Sequence, residues 1–537
     1  NLDLMADPAT SSPSGAVLRL QAGGYANWVG TQWLNLEHAE SGGGDVDAVP
    51  ETARRLLALD YQGRAGPVFE GTGGDAEAEL QTLQSQWAGT VSVHSATAAS
   101  NPFFAAREED GEDAQGEEPE EPEEPDADEF DPYGTAFVRR QAAPTAALET
   151  GLVPPSPRDA WSARKECKQF SLDAVRVWSD FVTCRLPRKA YLEVGQWDSP
   201  TGLFSHFHAG YSSHSSSQLD PAIRDEASDR MRLLMEASDR VAGFEVLVDA
   251  IDGMSGLGCS LVEEAREECR SAEILSFLLL DPPMLPDASI LPEAFDSTMR
   301  HQRRMGLSRS LAMHALMEES NLVFPLSTSS WQATRPRSSP GAPRNHPSSS
   351  CHVLDSSARL ATALELVTTP YRHSSEVDVG TWRSWLSPTP RVKLVDGVVI
   401  SAPGLPRRLF SVSPLLDVVE GQERAAAWRR VVICAGHTPP GVAPPVEFRQ
   451  AHQTVVFPRP LVPPPSFPHG TRPEISPTSW ASAETSQRGG QLASRLRSDF
   501  EASLSPAENY RYSSATAREE FEDVSEFLLN LEETYDM

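Results

Sequence analysis

At 537 residues and a formal charge of −30, the chain is longer than one compact core usually organises, and its acidity argues against nucleic acid or anionic lipid as a direct partner. Its 44 prolines and 39% hydrophobic residues, with a mean hydropathy of −0.37, predict ordered blocks separated by loose segments. Six scattered cysteines, Cys167, Cys184, Cys259, Cys269, Cys351 and Cys434, with no CxxC, argue against a disulfide framework and fit a reducing compartment.

From the N-terminus, Val17 to Gln21 reads as a short strand, and a glycine-bearing turn leads into helical character from Trp28 to Leu36. The start lacks a basic stretch followed by an apolar run. Between Glu108 and Asp131 lie fifteen acidic residues and no basic one; self-repulsion and proline predict a solvated linker there, with an acidic docking tail as the alternative. A proline-rich lead-in follows, and order is expected again near Trp161, with Asp173 to Pro187 too mixed to assign.

Met231, Leu234, Met235 and Val241 fall near helical spacing, with Gly243 as the C-terminal stop. Phe244 to Ile251 then reads as a strand, Gly253 to Gly258 as a glycine-rich turn, Leu261 to Cys269 as a helix and Ile274 to Leu280 as a second buried strand. This is a βαβ unit with parallel strands, which places the turn at the carboxyl end of a strand, where open α/β sheets bind ligands. Ile274 to Leu280 is also the longest apolar stretch and is too short to cross a bilayer, so membrane association is expected to be peripheral.

Serine and proline dominate Pro325 to Ser350 and Pro439 to Pro477, predicting mobile connections around a helix at Ser356 to Val367. At the end, Phe521, Val524, Leu528, Leu531 and Tyr535 share one helical face with acids between them. They predict an amphipathic helix packed on its own domain, with partner docking as the alternative.

For chemistry, Asp252 to Gly258 (DGMSGLG) would let backbone N–H groups approach a phosphate at a helix N-terminus; a tight packing turn is the plainer reading. There is no GxxxxGK[ST], GxGxxG or GxSxG, so P-loop, dinucleotide-binding and nucleophile-elbow readings lack support. His206 and His208 have no accompanying ligand cluster, and no metal site is expected.

Leu20 to Asn35 (LQAGGYANWVGTQWLN) resembles the opening glycine-rich loop of tubulins, with Gln21, Ala22, Gly23, Asn27, Gly30 and Trp33 in matching places. Val175 to Phe181 and Ala242 to Cys269 resemble segments of the Misato family, a divergent relative of tubulin and bacterial FtsZ, the second being the counterpart of tubulin's phosphate-cradling signature. Arg359 to Arg372 looks like the segment after tubulin's catalytic loop, and Asp523 to Asp536 is similar to the Misato tail.

The resemblance implies an α/β, tubulin/FtsZ-like Rossmann-type parallel sheet flanked by helices, with a second α+β domain and long disordered insertions. The implied blocks are an N-terminal tubulin-like block at 16–98, an acidic, proline-rich linker at 99–160, a nucleotide-fold core at 161–324 and a disordered insertion at 325–350. A second-domain core at 351–435, a proline-rich disordered segment at 436–490 and a C-terminal helical region at 491–537 complete the chain. It also implies a vestigial nucleotide loop made of Gly23, Gly24, Asn27, Gly30, Gly253, Ser255, Gly256 and Gly258.

The departures point away from turnover. Gly24 stands where tubulins place a glutamine, and the phosphate signature is reduced to Asp252, Gly253 and Met254, putting like charge beside a phosphate. In the loop Asp355 to Ala358, Ala358 aligns with α-tubulin's catalytic glutamate and Ser357 with the base-binding asparagine, although a shift of three residues brings Asp355 to the glutamate's place. The implied function is that of a non-catalytic protein of mitochondrial distribution and morphology, in the cytoplasm and peripherally on the mitochondrial outer membrane. Its implied partners are cytosolic chaperonin, tubulin or outer-membrane proteins, with no cofactor. A GTP-binding protein forming tubulin-like assemblies is the alternative.

Overall fold

The computed structural model describes residues 15–40, 50–61, 65, 175, 177–195, 204–211, 217, 219–281, 294–327, 349–374, 376–401, 410–414, 427–436, 445, 448, 451–457, 461, 478–504 and 515–535. The acidic tract Glu108 to Asp131 and the linker 99–160 lie outside them.

The first strand, β1 (Ala16–Ala22), is followed by α1 (Gly24–Glu40), then β2 (Leu56–Asp60) and β3 (Tyr191–Glu193). Next come α2 (Pro221–Glu236), β4 (Val241–Asp249), α3 (Gly253–Glu268), β5 (Glu273–Asp281), α4 (Ala294–Glu319) and β6 (Leu322–Ser327). These six strands form one parallel sheet in the order β3-β2-β1-β4-β5-β6. That is the doubly wound Rossmann order, and strand order reverses between β1 and β4. Helix cover on both faces explains why β1, β2 and β4 are nearly all buried and rich in Leu and Val.

A second, mixed sheet follows α5 (Ser349–Arg372) and α6 (Val379–Leu386). It contains β7 (Gly397–Ser401), β8 (Phe410–Ser411), β9 (Arg429–Gly436), β10 (Gln453–Phe457) and β11 (Thr478–Thr485), in the order β10-β9-β11-β7-β8. Helix α5 packs on α1 on one side and on β7, β9 and β11 on the other, so one hydrophobic core runs from the first sheet through α5 into the second. The opposite face of the first sheet is covered by α2, α3, α4 and the last two helices, α7 (Arg488–Ser503) and α8 (Ala515–Tyr535). Phe521, Val524, Leu528, Leu531 and Tyr535 of α8 are buried there. Each is worth about 1.5–3 kcal/mol of burial, and this is the packing expected of the amphipathic pattern.

Several expectations are corrected. Helix α2 ends at Glu236, and Val241 and Gly243 belong to β4. Gly243 is there for close strand approach, since a Cβ would lie 2.5 Å from the Glu273 carbonyl oxygen. The glycines of Gly253 to Gly258 are helical and open α3, because Asp252 caps the helix by accepting the Met254 N–H at 2.9 Å. The supposed loop Asp355 to Ala358 lies inside α5. Pro325, assigned to a mobile insertion, sits in β6, which among the described residues ends the main sheet beside β5, so a missing N–H is tolerated there. Strands β10 and β11 and the start of α7 fall inside the segment 436–490 expected to be disordered. Its prolines flank these elements, and strand pairing with β9 and β7 organises them.

Candidate ligand crevice

The carboxyl ends of β1 and β4 meet at the point where strand order reverses, the place where open α/β sheets bind ligands. Two helices, α1 and α3, start there, and free helix N-termini attract anions through their unpaired N–H groups and dipoles. In this chain the ends are occupied by its own carboxylates. The Tyr25 N–H donates to Asp249 Oδ2 at 2.8 Å, the Ala26 N–H adds a second bond to the same carboxyl, and Asp252 caps α3. Asp60, at the end of β2, accepts from the Tyr61 N–H and from Trp178 Nε1, both at 2.8 Å.

Asp249 is 4% exposed. Burial pushes its pKa well above the usual carboxylate range; the charges of Asp252 and Asp60 push the same way, and the Tyr25 and Ala26 N–H groups oppose. Three aspartates, Asp60, Asp249 and Asp252, therefore gather where strand order reverses, and those that are ionised oppose a phosphate.

The eight residues expected at a nucleotide loop divide into two groups. Gly23, Gly24 and Gly253 come together at the crevice. Gly23 has φ +115°, and a Cβ there would lie 2.3 Å from Asp249 Oδ2, so glycine is needed for both the turn and the carboxylate. At Gly24 a Cβ would only touch Asp60 Oδ1 at 3.7 Å. At Gly253 it would strike the Phe204 ring at 2.6 Å, and the Gly253 N–H donates to the Phe204 carbonyl at 2.9 Å.

The other five serve packing. Asn27 is fully buried, and its Nδ2 donates to the Leu59 carbonyl at 2.9 Å, tying α1 to β2. A Cβ on Gly30 would meet the Gln21 side chain at 2.1 Å. One on Gly256 would meet the Phe207 carbonyl oxygen at 2.1 Å, because the short helix Phe207–Gly210 lies directly on the first turns of α3. Gly258 packs against Ala22 and Val248, and Ser255 Oγ donates to the Asp252 carbonyl within the α3 cap.

Sequence reasoning missed Asp60, Asp249, Tyr25, Trp178 and Phe204. A signal was available for the first two: LLALD and EVLVD are apolar runs ending in aspartate at the carboxyl end of a strand. Nothing local marks Phe204 as the group over Gly253.

Of the remaining candidates, His208 is fully buried with Nε2 2.9 Å from Glu520 Oε2, joining the Phe207–Gly210 segment to α8. Among the described residues, no three His, Cys, Asp or Glu side chains are grouped to hold a metal. Asp355 pairs with Arg359 at 3.0 Å within α5, and Ala358 is fully buried. Ser356 Oγ accepts from the Tyr25 hydroxyl at 2.9 Å. Tyr25 thus links the end of β4, the start of α1 and α5 in one contact set. Among the described residues, no helix is long and apolar enough to cross a membrane.

No protein-family model matches the chain. It is 25% identical to human protein misato homolog 1 over 415 residues, which is 73% of this chain and 65% of that protein. The zebrafish protein misato homolog 1 is 25% identical over 446 residues, covering 78% of this chain and 68% of that protein. The fruit-fly protein misato is 30% identical over 211 residues, covering 38% of this chain and 34% of that protein. The match to the human relative thus spans just under two thirds of its length.

Proposed function

Because this chain is a member of the Misato family, we propose that it acts as a non-catalytic, tubulin-like scaffold in mitochondrial distribution and morphology. It works in the cytoplasm and peripherally on the mitochondrial outer membrane, through protein partners such as outer-membrane proteins, cytosolic chaperonin or tubulin. A role in microtubule or spindle organisation belongs to the same reading.

The observation that carries the non-catalytic part is the buried Asp249 carboxyl group seated in the N-terminus of α1. A nucleotide phosphate at that helix would have to displace it and then lie beside Asp252 and Asp60, a like-charge arrangement that costs several kcal/mol without an intervening cation, on the order of the Coulomb term at short range. Asp355, the nearest acidic alternative to a catalytic glutamate, is committed to Arg359 inside a helix.

The test is nucleotide content. Freshly purified protein is denatured and the released bases separated, and the native protein is titrated with a slowly hydrolysed GTP analogue. The expected result is no stoichiometric guanine nucleotide and no saturation at high micromolar concentration. Stoichiometric GTP or GDP would overturn the non-catalytic reading in favour of a GTP-binding assembly protein, for which the turn at Gly23 and the open space at Gly24 leave room. The mitochondrial role is tested separately, by restoring network shape in cells depleted of their own Misato protein.

A further inference from the structure

Away from the crevice, the segment Val392 to Ser401 passes from one sheet to the other. Leu394 bridges to Val323 of β6, with the Val323 N–H donating to the Lys393 carbonyl and the Val395 N–H to the Val323 carbonyl, each at 2.8 Å. Three residues later the same backbone is β7 of the second sheet. Asp396 is the residue at the crossing, 3% exposed.

Both C-terminal helices are fastened at this point. The Leu394 N–H donates to the Tyr535 hydroxyl at 2.7 Å, and that hydroxyl donates back to the Leu394 carbonyl at 3.2 Å, so the end of α8 is clamped to the crossing segment. Tyr535 also stacks on Trp428 at 5.3 Å, and a Cβ on Gly489 would strike its ring at 2.3 Å. The first turn of α7 is held by Asp396 itself: Ser486 Oγ donates to Oδ2 at 2.6 Å, and the Gly489 N–H adds to it.

The charges near Asp396 act in opposite directions, Arg488 toward its ionised form and Glu484 toward its neutral form. Glu484 of β11 is fully buried and holds Arg430 of β9 at 2.6 Å and Arg488 of α7 as its own partners. The charge of Asp396 also acts on the phenol of Tyr535 in α8. Asp396 keeps one hydroxyl donor and the start of α7 on its side, while Oδ1 is buried with no hydrogen-bond partner. Burial with one oxygen left without a partner favours the neutral form of this carboxyl.

We propose that Asp396 is a proton-operated latch at the junction of the two sheets: its neutral carboxyl holds α7 and the Tyr535 clamp closed, and its ionisation loosens them. Burial, with Glu484 adding, pushes its pKa up to about 7, against Ser486, Arg488 and the Gly489 N–H. A raised carboxyl pKa means that the closed form binds a proton that the opened form has released. Closure is therefore favoured at lower pH, weakens as pH rises from the ordinary carboxyl range to about 7, and changes no further above that.

Hydrogen exchange of peptides from α7 and α8 in the full chain, corrected for intrinsic exchange, tests this. In the wild type, protection of 515–535 is expected to fall progressively, by about tenfold or more in all, as pH rises from about 5 to about 7, and to level off above that. Asp396→Asn copies the neutral form and is expected to stay protected, with no such slope. Tyr535→Phe removes the clamp and is expected to be weakly protected at both pH values. Wild-type protection that does not change between about pH 5 and pH 7, or the same slope in Asp396→Asn, would overturn the proposal, and the first reading needs no variant to fold.

Discussion

Gly256 and Gly24 belong to the same pair of glycine-rich segments, and a single added methyl separates their roles. At Gly256 the methyl would run into the Phe207 carbonyl oxygen and the Tyr211 backbone nitrogen at 2.1 and 2.7 Å, atoms that cannot move aside. Gly256→Ala is expected to cost about 1–3 kcal/mol or more, read as a lowered urea midpoint. At Gly24 the nearest atom is 3.7 Å away, so Gly24→Ala is expected to be neutral or to stabilise by about 0.4–1 kcal/mol through the unfolded state. Comparable losses at both positions would mean that this packing account is wrong. The glycines themselves were legible in the sequence as a pattern. What fills their space was not, because Phe207 lies 49 residues from Gly256 and no local rule brings them together.

Glu263 gives the residue scale a pH dependence. Burial, opposed by its Tyr211 partner and reinforced by Glu319, Glu318 and Glu267, pushes its pKa up to about 7 from 4.5. The folded state therefore holds a proton that the unfolded chain has lost between those values, and stability falls as pH rises through that window. Glu263→Gln should become progressively more stable than the wild type from about pH 4.5 to pH 7, the difference levelling off above, in thermal melts across that range.

At the scale of elements, α5 joins the two sheets and carries a buried charge network. Arg19 of β1 lies between Glu37 of α1 and Glu245 of β4, at 2.7 and 2.6 Å, and over the Trp33 ring at 3.5 Å. Arg372 of α5 reaches Glu37 at 2.6 Å and Glu365. Glu365 also accepts from Trp33 Nε1 at 2.7 Å, and Glu245 from the Tyr371 hydroxyl at 2.8 Å. Burial pushes the Glu365 pKa up, but Arg372 and His373 outweigh it and hold the carboxyl down at about 2.

Removing Arg372 takes the guanidinium from two buried carboxylates, leaving Glu37 with Arg19 and Glu365 with Trp33 and His373. Arg372→Met is expected to destabilise by about 3–5 kcal/mol in denaturant unfolding, and a loss under about 1 kcal/mol would mean that water or relaxation replaces the guanidinium. Leu528→Ala in the fully buried face of α8 is expected to cost about 2–5 kcal/mol by the same measurement, whereas a docking helix held ready for a partner would lose almost nothing. The amphipathic face of α8 was legible in its spacing. The extent of α5 was not: the tubulin-like segment suggested a loop before Arg359, and the helix runs unbroken from Ser349 because Val353, Leu354 and Ala358 bury themselves against its neighbours.

For the whole molecule, Asp249 and Asp252 cap the two helices at the switch point, so an anionic ligand there would have to compete with them. A bound nucleotide at a hundred times its dissociation constant would stabilise by about 2.7 kcal/mol and raise the melting temperature by a few degrees. Millimolar GTP with magnesium is expected to leave the melting temperature of this chain unchanged, and a rise of that size would point to a site that tolerates Asp249.

By itself, the sequence determined the βαβ unit, the strand-turn-helix opening and the amphipathic final helix, because apolar periodicity and turn residues act over a few neighbours and survive in any context. It also marked both segments that meet at the crevice. Tertiary contacts alone bring the Tyr25 N–H to Asp249 across 224 residues, set Phe204 over Gly253, and make strands β6, with Pro325 inside it, and β10, with prolines around it. Those outcomes depend on strand order and sheet pairing, which bring distant residues into one low-dielectric space and leave no signature in the spacing of neighbours along the chain.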